Sequence, residues 1–351
     1  MKPRTFPLTR FLTPDIGVDI GTMHTRICVP SEGIVLDEPT LVAVEHKSHR
    51  VLNRGQAVGH LAKIMQGRTP ESIQTIQPVR CGVVADHNLG EAMLRAFLRK
   101  VRPGRWGSLP RVLIAVPGGI TPVERQAVLN MVARAGARQV FIIRKSLAGA
   151  LAAGIPIAEP VASMICDLGG GTSEIAIVSL GEVAVSESLR AAGDEFDMAI
   201  IDYLRRKQRL RVGPQMAERI KIEIGTAIPL ETELTLEVGG RDLTTGLPRK
   251  MTLTSEEVRE ALQDPVRLIV AGVERVLESC PAEFAADLMQ NGMVLAGGAA
   301  QLRGLDRKLA EATGIPVRLA EDPTTCVVRG LGICLEHLDV WHSLIQDRRA
   351  A

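Results

Sequence analysis

The chain states one local pattern twice. IGVDIGTMHTRICVPSEGIVL (residues 16 to 36) and MICDLGGGTSEIAIVSLGEVAV (164 to 185) share a layout of apolar strand, tight turn, strand, turn and strand. In each copy the first strand ends at an aspartate, Asp19 or Asp167, and runs into glycine and threonine before an alternating, β-branched strand begins. A repeat of this kind predicts two related lobes with the two turns face to face. The length of 351 residues agrees, being more than one ordinary hydrophobic core supports.

Between and after the repeats, strands alternate with helices, which predicts α/β layering around sheets. RVLIAVPGG (111 to 119) reads as a buried strand and TPVERQAVLNMVARAG (121 to 136) as a helix. Thr121 is placed to cap that helix, with Pro122 at its first position, Glu124 completing a capping box and Gly136 closing it. VFII (140 to 143) is the next strand, and SLAGALAAG continues it as a helix. Residues 194 to 225 hold two helical stretches, and 230 to 253 shift to strand alternation, together a small helical and hairpin insertion. Helix signals resume at TSEEVREAL, where Thr254 and Glu257 form another capping box, and again after Asp264 and Pro265. MVLAGG is a strand ending in glycines, followed by the helix QLRGLDRKLAEATG.

A composition of 46% hydrophobic and 23% charged residues excludes a disordered chain, and a formal charge of +2 gives no case for nucleic acid. With aromatics at 3%, ring platforms for single strands are also missing. The six cysteines form no C-x-x-C pair and sit mostly in apolar runs, as buried thiols in a reducing compartment do. MKPRTFPLTRFLTPD lacks a continuous apolar core for a signal peptide, so a cytoplasmic protein is expected. Its basic and apolar residues read as a disordered tail, with a membrane-surface contact as the second reading.

DLGGGTSE lets the backbone turn sharply and aim several N–H groups at one point, which suits an anion and phosphate above all. The plain alternative is a hairpin turn. Paired turns, each opening on an aspartate, can cradle a polyphosphate while Asp19 and Asp167 hold Mg2+ through its waters. No P-loop and no G-x-G-x-x-G opening a helix occurs. LAGGAAQLRG (295 to 304) is a third place of close backbone approach, or a simple strand-to-helix turn. Glu218, Lys221 and Glu223 in AERIKIEIG read as a solvated helix face. Of seven histidines, none at metal-ligand spacing, only His24 falls inside a turn where chemistry is plausible. Arg144 and Lys145 stand at a predicted helix start, where cations are mildly unfavourable; they are solvated or they face an anion.

These residues resemble the actin, Hsp70 and sugar-kinase superfamily, and within it the MreB family of bacterial actins, from about Asp15 to Leu335. GIVLDEPTLVAV, ITPVERQAVL, ESLRAAGDEFD, AERIKIEIG and TTGLPRK all read as segments of that family. The resemblance implies an actin-like ATPase fold: two lobes of duplicated ribonuclease H-like domains with small inserted subdomains around a nucleotide cleft. The subdomains would be 1–43 with 87–155 and 326–351, then 44–86, then 156–191 with 257–325, and 192–256. It implies ATP and Mg2+ as cofactors. Asp19, Gly21, Thr22, Met23 and His24 would form the first phosphate loop and Asp167, Gly169, Gly170, Gly171 and Thr172 the second. Glu218, Arg219, Ile220 and Lys221 would lie near ribose and adenine, Gly297, Gly298, Ala299 and Ala300 beneath the nucleotide, and Asp194 and Glu195 along the cleft.

Three departures stand out. The family commonly has Asn at His24 and Gly-Ser at Ala299 and Ala300, and it reads EEPMAAA where this chain reads RKSLAGA. Lys145 thus occupies the place of the glutamate that orients the attacking water. An ammonium has three donors and no acceptor, so it cannot activate water as a carboxylate does. Slow hydrolysis with ATP retained is expected; in the competing view Lys145 stabilises transition-state charge and Thr172 or Glu174 positions water. The resemblance further implies self-association into filaments, contact with the inner membrane surface through a Trp106 and Leu109 loop flanked by Arg102, Arg105 and Arg111, and work with the cell-wall elongation machinery in setting rod shape. A small-molecule kinase of the same fold is the alternative.

Overall fold

The computed structural model describes residues 15–101 and 109–347. The chain forms two compact units that exchange at Gly154 and at Thr325, the second running Ile155–Thr324.

The first unit opens with β1 (Asp15–Ile20), β2 (His24–Val29), β3 (Gly33–Pro39) and β4 (Val42–Glu45). A single turn α1 (Leu52–Gly55), α2 (His60–Met65), β5 (Ile73–Ile76), β6 (Val79–Arg80) and β7 (Val83–Val84) follow. Next come α3 (His87–Val101), β8 (Arg111–Val116), α4 (Pro122–Ala135), β9 (Gln139–Arg144) and α5 (Lys145–Ala152). The second unit contains β10 (Ser163–Leu168), β11 (Ser173–Ser179), β12 (Glu182–Leu189), α6 (Gly193–Lys207), β13 (Leu210–Arg211) and α7 (Pro214–Ile224). It continues through β14 (Thr235–Asp242), β15 (Pro248–Thr254), α8 (Ser255–Glu278), α9 (Ala282–Asn291), β16 (Met293–Ala296), α10 (Leu305–Thr313) and β17 (Val317–Leu319). The chain then returns to the first unit with α11 (Cys326–Glu336), α12 (Leu338–Trp341) and β18 (Gln346–Asp347).

The duplication read from the sequence is a duplication of topology. The first sheet has the order β18-β9-β8-β1-β2-β3 and the second β12-β11-β10-β16-β17. In the first, β1 pairs antiparallel with β2 and parallel with β8, while β2–β3 is antiparallel and β8–β9 parallel. In the second, β10–β11, β11–β12, β10–β16 and β16–β17 repeat those senses one for one. Even the register agrees, because Asp19 lies opposite Ala115 of β8 and Asp167 opposite Ala296 of β16. Each aspartate therefore ends the central strand of its own sheet, where β1 is buried along its whole length and β10 along most of it.

Local signals explain the helices that hold these sheets. In α4, Thr121 accepts from the Glu124 amide while the Glu124 carboxylate accepts from the Thr121 amide, and α8 repeats the device with Thr254 and Glu257. The two helix signals around Pro265 prove to be one helix, since α8 runs unbroken through that proline. Pro265 forgoes one backbone bond. Its ring is buried on the same face as Val258, Leu262, Val266, Ile269 and Val273, and packing on both sides keeps the two halves in line.

In the first unit α11 lies against α5 and β1 at distances only glycine permits. A Cβ on Gly17 would stand 2.7 Å from Leu331 Cβ, and one on Gly330 would overlap the Ala148 carbonyl of α5. Gly330→Ala therefore has to push α5 and α11 apart, and it should lower the unfolding free energy by about 1–3 kcal/mol, the usual cost of overpacking. Urea denaturation checks this; an unchanged midpoint would show that the helices separate freely.

All six cysteines are free thiols. Burial pushes Cys28 and Cys334 up to about 12 and raises Cys166 as well. Because the thiolate is the reactive form, iodoacetamide near neutral pH should modify half-buried Cys81 before any of these three. Peptide mass spectrometry reads the order, and early labelling of Cys166 would contradict the packing described.

Candidate functional site

Each sheet presents its Asp-Gly turn through the same hydrogen bond. Gly21 N–H donates to the His24 carbonyl at 2.9 Å, and Gly169 N–H donates to the Thr172 carbonyl at 2.9 Å. A Cβ would stand 2.8 Å from the His24 oxygen at Gly21 and 3.0 Å from the Thr172 oxygen at Gly169, so the tight closure is what selects glycine in both. Further carbonyls of both turns are engaged as well. Thr40 Oγ1 donates to Gly21 O at 2.7 Å and Thr40 N–H to Met23 O at 2.8 Å. Having spent its proton on Gly21, the Thr40 hydroxyl accepts the one from Thr25 at 2.9 Å. In the second turn, Gly193 N–H donates to Gly169 O at 3.1 Å and Asp194 N–H to Gly170 O at 2.7 Å. With these carbonyls taken, the N–H groups of Thr22 and Met23 and of Gly170 to Thr172 are the donors the turns can present to an anion, the arrangement of a nest.

Lys145 has an anion, and it is a residue of this chain. Its Nζ stands 2.8 Å from Asp19 Oδ1, with the two side chains 12% and 10% exposed. That oxygen is buried and makes no directed hydrogen bond, so the ammonium is its compensating charge. Strand order produces the contact: β1, β8 and β9 run parallel side by side, so Asp19 at the end of β1 and Lys145 just after β9 reach the same edge. Asp19, expected to hold a hydrated Mg2+, has its Oδ1 beside Lys145 Nζ in this structure.

His24 is likewise committed, with Nδ1 2.6 Å from Asp37 Oδ1. Arg26 Nε donates to the other Asp37 oxygen at 2.9 Å. Partial burial opposes ionisation of Asp37, but the His24 bond and the Arg26 charge hold its carboxyl below the usual value. Nδ1 of His24 is therefore turned to β3 rather than offered to a ligand in the turn.

In the second unit Asp167 and Glu174 are paired across β10 and β11, Asp167 partly exposed and Glu174 3% exposed. Thr172 keeps accessible surface in the turn itself. Gly297, at φ +84°, brings its backbone against Asp167, where a Cβ would lie 2.6 Å from Oδ1. Gly298 is exposed, but Ala299 and Ala300 are core residues, so the third glycine segment offers its first half only. On α7, Ile220 is wholly buried and is thereby removed from any ligand surface. Lys221 is no solvated cation either: Nζ lies 2.8 Å from Asp197 and donates to Gly193 O at 3.1 Å, tying α7 to the start of α6. Glu218 stays partly exposed beside it, and Arg219 is exposed and bonded to Glu223 at 2.7 Å. On α6, Asp194 is partly exposed and Glu195 exposed. Asp197 and Thr40 are the structural residues the sequence reading missed; the lone polar residue ahead of LVAV was the signal for Thr40.

Trp106 lies outside the described residues. Leu109 is 52% exposed. Arg111, expected to meet lipid headgroups, instead donates from Nε and Nη2 to the Asp15 carboxylate at 2.6 and 2.5 Å, leaving it 20% exposed. Among the described residues no three His, Cys, Asp or Glu side chains gather as a metal cage, and no helix is long and apolar enough to cross a membrane.

Twin sheets of one topology, each ending in an Asp-Gly nest, define an actin-like α/β protein. The comparisons agree with that class: MreB5 of Spiroplasma citri, solved bound to AMPPNP, matches with TM-score 0.87 and 33% identity over 95% of this chain and 98% of that one. A MamK double helical filament shares the fold at TM-score 0.76 and 21% identity, over 93% of this chain and 99% of that one. The MreB/Mbl protein family model matches residues 13–343. The cell shape-determining protein MreB of Escherichia coli strain K12 is 48% identical over 327 residues, 93% of this chain and 94% of its own. The cell shape-determining protein Mbl of Bacillus subtilis strain 168 is 42% identical over 93% of this chain and 96% of its own. This chain belongs to the MreB/Mbl family, and the small-molecule kinase alternative is not favoured.

Proposed function

We propose that this chain binds ATP through the Asp19 and Asp167 turns and assembles into actin-like filaments at the inner face of the cytoplasmic membrane. There the filaments set rod shape by organising the cell-wall elongation machinery. The observation that carries the reading is the identical N–H to carbonyl closure of the two turns at matching positions of duplicated sheets. Family membership supports it, as do the AMPPNP- and ADP-bound structures of MreB5, with 33% and 32% identity to this chain. ATP phosphates accept from the amides of Thr22 and Met23 and of Gly170 to Thr172, the Gly21 and Gly169 amides being used to close the turns, while Glu218 and Arg219 remain for the ribose and adenine end.

Mg2+ does not fit Asp19 as the side chains stand, because Lys145 already neutralises that carboxylate. Lys145 also lacks the lone pair needed to take a proton from water. Hydrolysis is therefore slow, and Thr172, with surface left in its turn, is better placed than buried Glu174 to position water.

Sedimentation tests the assembly: with ATP the protein should pellet above a threshold concentration, and failure to pellet at any concentration would contradict it. Exposed Leu109, three positions after Trp106 in the sequence, supports membrane contact. A Trp106→Ala, Leu109→Ala variant should lose binding in liposome co-sedimentation; unchanged binding would remove this segment from the account.

A further inference from the structure

Lys145 fixes an ammonium beside the Asp19 carboxylate, at a place where a nucleotide site would otherwise need a mobile cation. Asp19 is 7% exposed, and a carboxylate so deeply placed requires a counter-charge. Here the counter-charge is covalently part of the chain, 2.8 Å away on the first residue of α5. A hard divalent cation seeks a carboxylate oxygen and keeps several waters in octahedral geometry. At Asp19 it would meet a carboxylate with no net charge left to give and an ammonium that repels it. The ammonium has three donors, so phosphate oxygens can share it with Asp19. Its charge is also independent of the metal concentration.

We propose that Lys145 replaces the divalent cation at Asp19, so that this chain holds a nucleoside triphosphate without depending on Mg2+. The proposal rests on the ATP-binding reading above. It assigns Lys145 a binding role, through charge, in addition to the missing base.

The test is equilibrium binding of a fluorescent, non-hydrolysable ATP analogue to the full chain in excess Mg2+ and in excess EDTA. Wild-type affinity should differ by less than about threefold between the two conditions, and Lys145→Met should bind at least about tenfold more weakly in EDTA than in Mg2+. Lys145→Arg, which keeps the charge, should behave as wild type. A wild-type loss of tenfold or more in EDTA overturns the inference while leaving ATP binding intact, and it does so even if Lys145→Met fails to fold. Absence of binding in every condition overturns the ATP reading itself. Insensitivity to EDTA in Lys145→Met as well as wild type overturns the assignment to Lys145.

Discussion

Replacing Lys145 by glutamate should speed phosphate release from polymerising protein by at least about tenfold, a floor set below the ~10²–10⁴ that a positioned general base contributes. The exchange returns an acceptor to a place where the wild-type side chain has only donors. It also removes the ammonium that neutralises Asp19, leaving two carboxylates together in a region about one-tenth exposed. Such a pair is costly without a cation, so the variant should be less stable in EDTA than in Mg2+, a sensitivity that wild type lacks. Phosphate release and a thermal melt in both conditions read the two effects. A wild-type rate at or above that of the variant would sink the slow-hydrolysis account.

Valine at Gly169 or Gly21 should abolish most nucleotide affinity while costing comparatively little stability. A Cβ would already stand 3.0 Å from the Thr172 oxygen at Gly169 and 2.8 Å from the His24 oxygen at Gly21, and valine adds two methyls beyond it. The turn has to open, and its amides then miss the phosphate. Losing one charge-assisted bond of ~1.5–3 kcal/mol corresponds to a fall of about 10- to 100-fold in affinity, and losing two to about 100-fold or more. The cost in stability should stay near ~1–3 kcal/mol. Gly213→Val is the control, because a Cβ there meets nothing and φ is −91°. Equal affinity for Gly169→Val and Gly213→Val would show that the turn does not contact phosphate.

What the sequence made legible follows from the range of the interactions concerned. The repeat, the glycine turns and both capping boxes are set by neighbours within a few residues, and each stands in the structure where its pattern indicated. The strand after Asp167 and the one after Asp19 were readable as equivalents because their turns obey the same local geometry. The partners of Lys145, Lys221 and Arg111 were not readable. Lys145 and Asp19 are 126 positions apart in the chain and meet only because β1, β8 and β9 lie side by side. Arg111 meets Asp15 for the same reason, one strand further in. Lys221 looked like part of a solvated helix face because its acid, Asp197, belongs to α6. Ala299 and Ala300 carried no local mark of burial, and Ile220 carried one only in its spacing from Ala217 and Ile224; the resemblance placed them by segment, while packing decides which side of a segment faces outward. Pro265 read as an interruption because propensity was judged without the buried face that keeps α8 whole.

The central claim is that both turns hold phosphate and that Lys145 supplies positive charge there. The most direct measurement is a crystal structure of this chain grown with AMPPNP and Mg2+. The account predicts phosphate oxygens on the amides of Thr22 and Met23 and of Gly170 to Thr172, with the Gly21 and Gly169 amides still closing their turns. It predicts the Lys145 ammonium between Asp19 and the terminal phosphate, with no metal on Asp19. A nucleotide bound elsewhere, or Lys145 swung away from Asp19 with Mg2+ in its place, would contradict it.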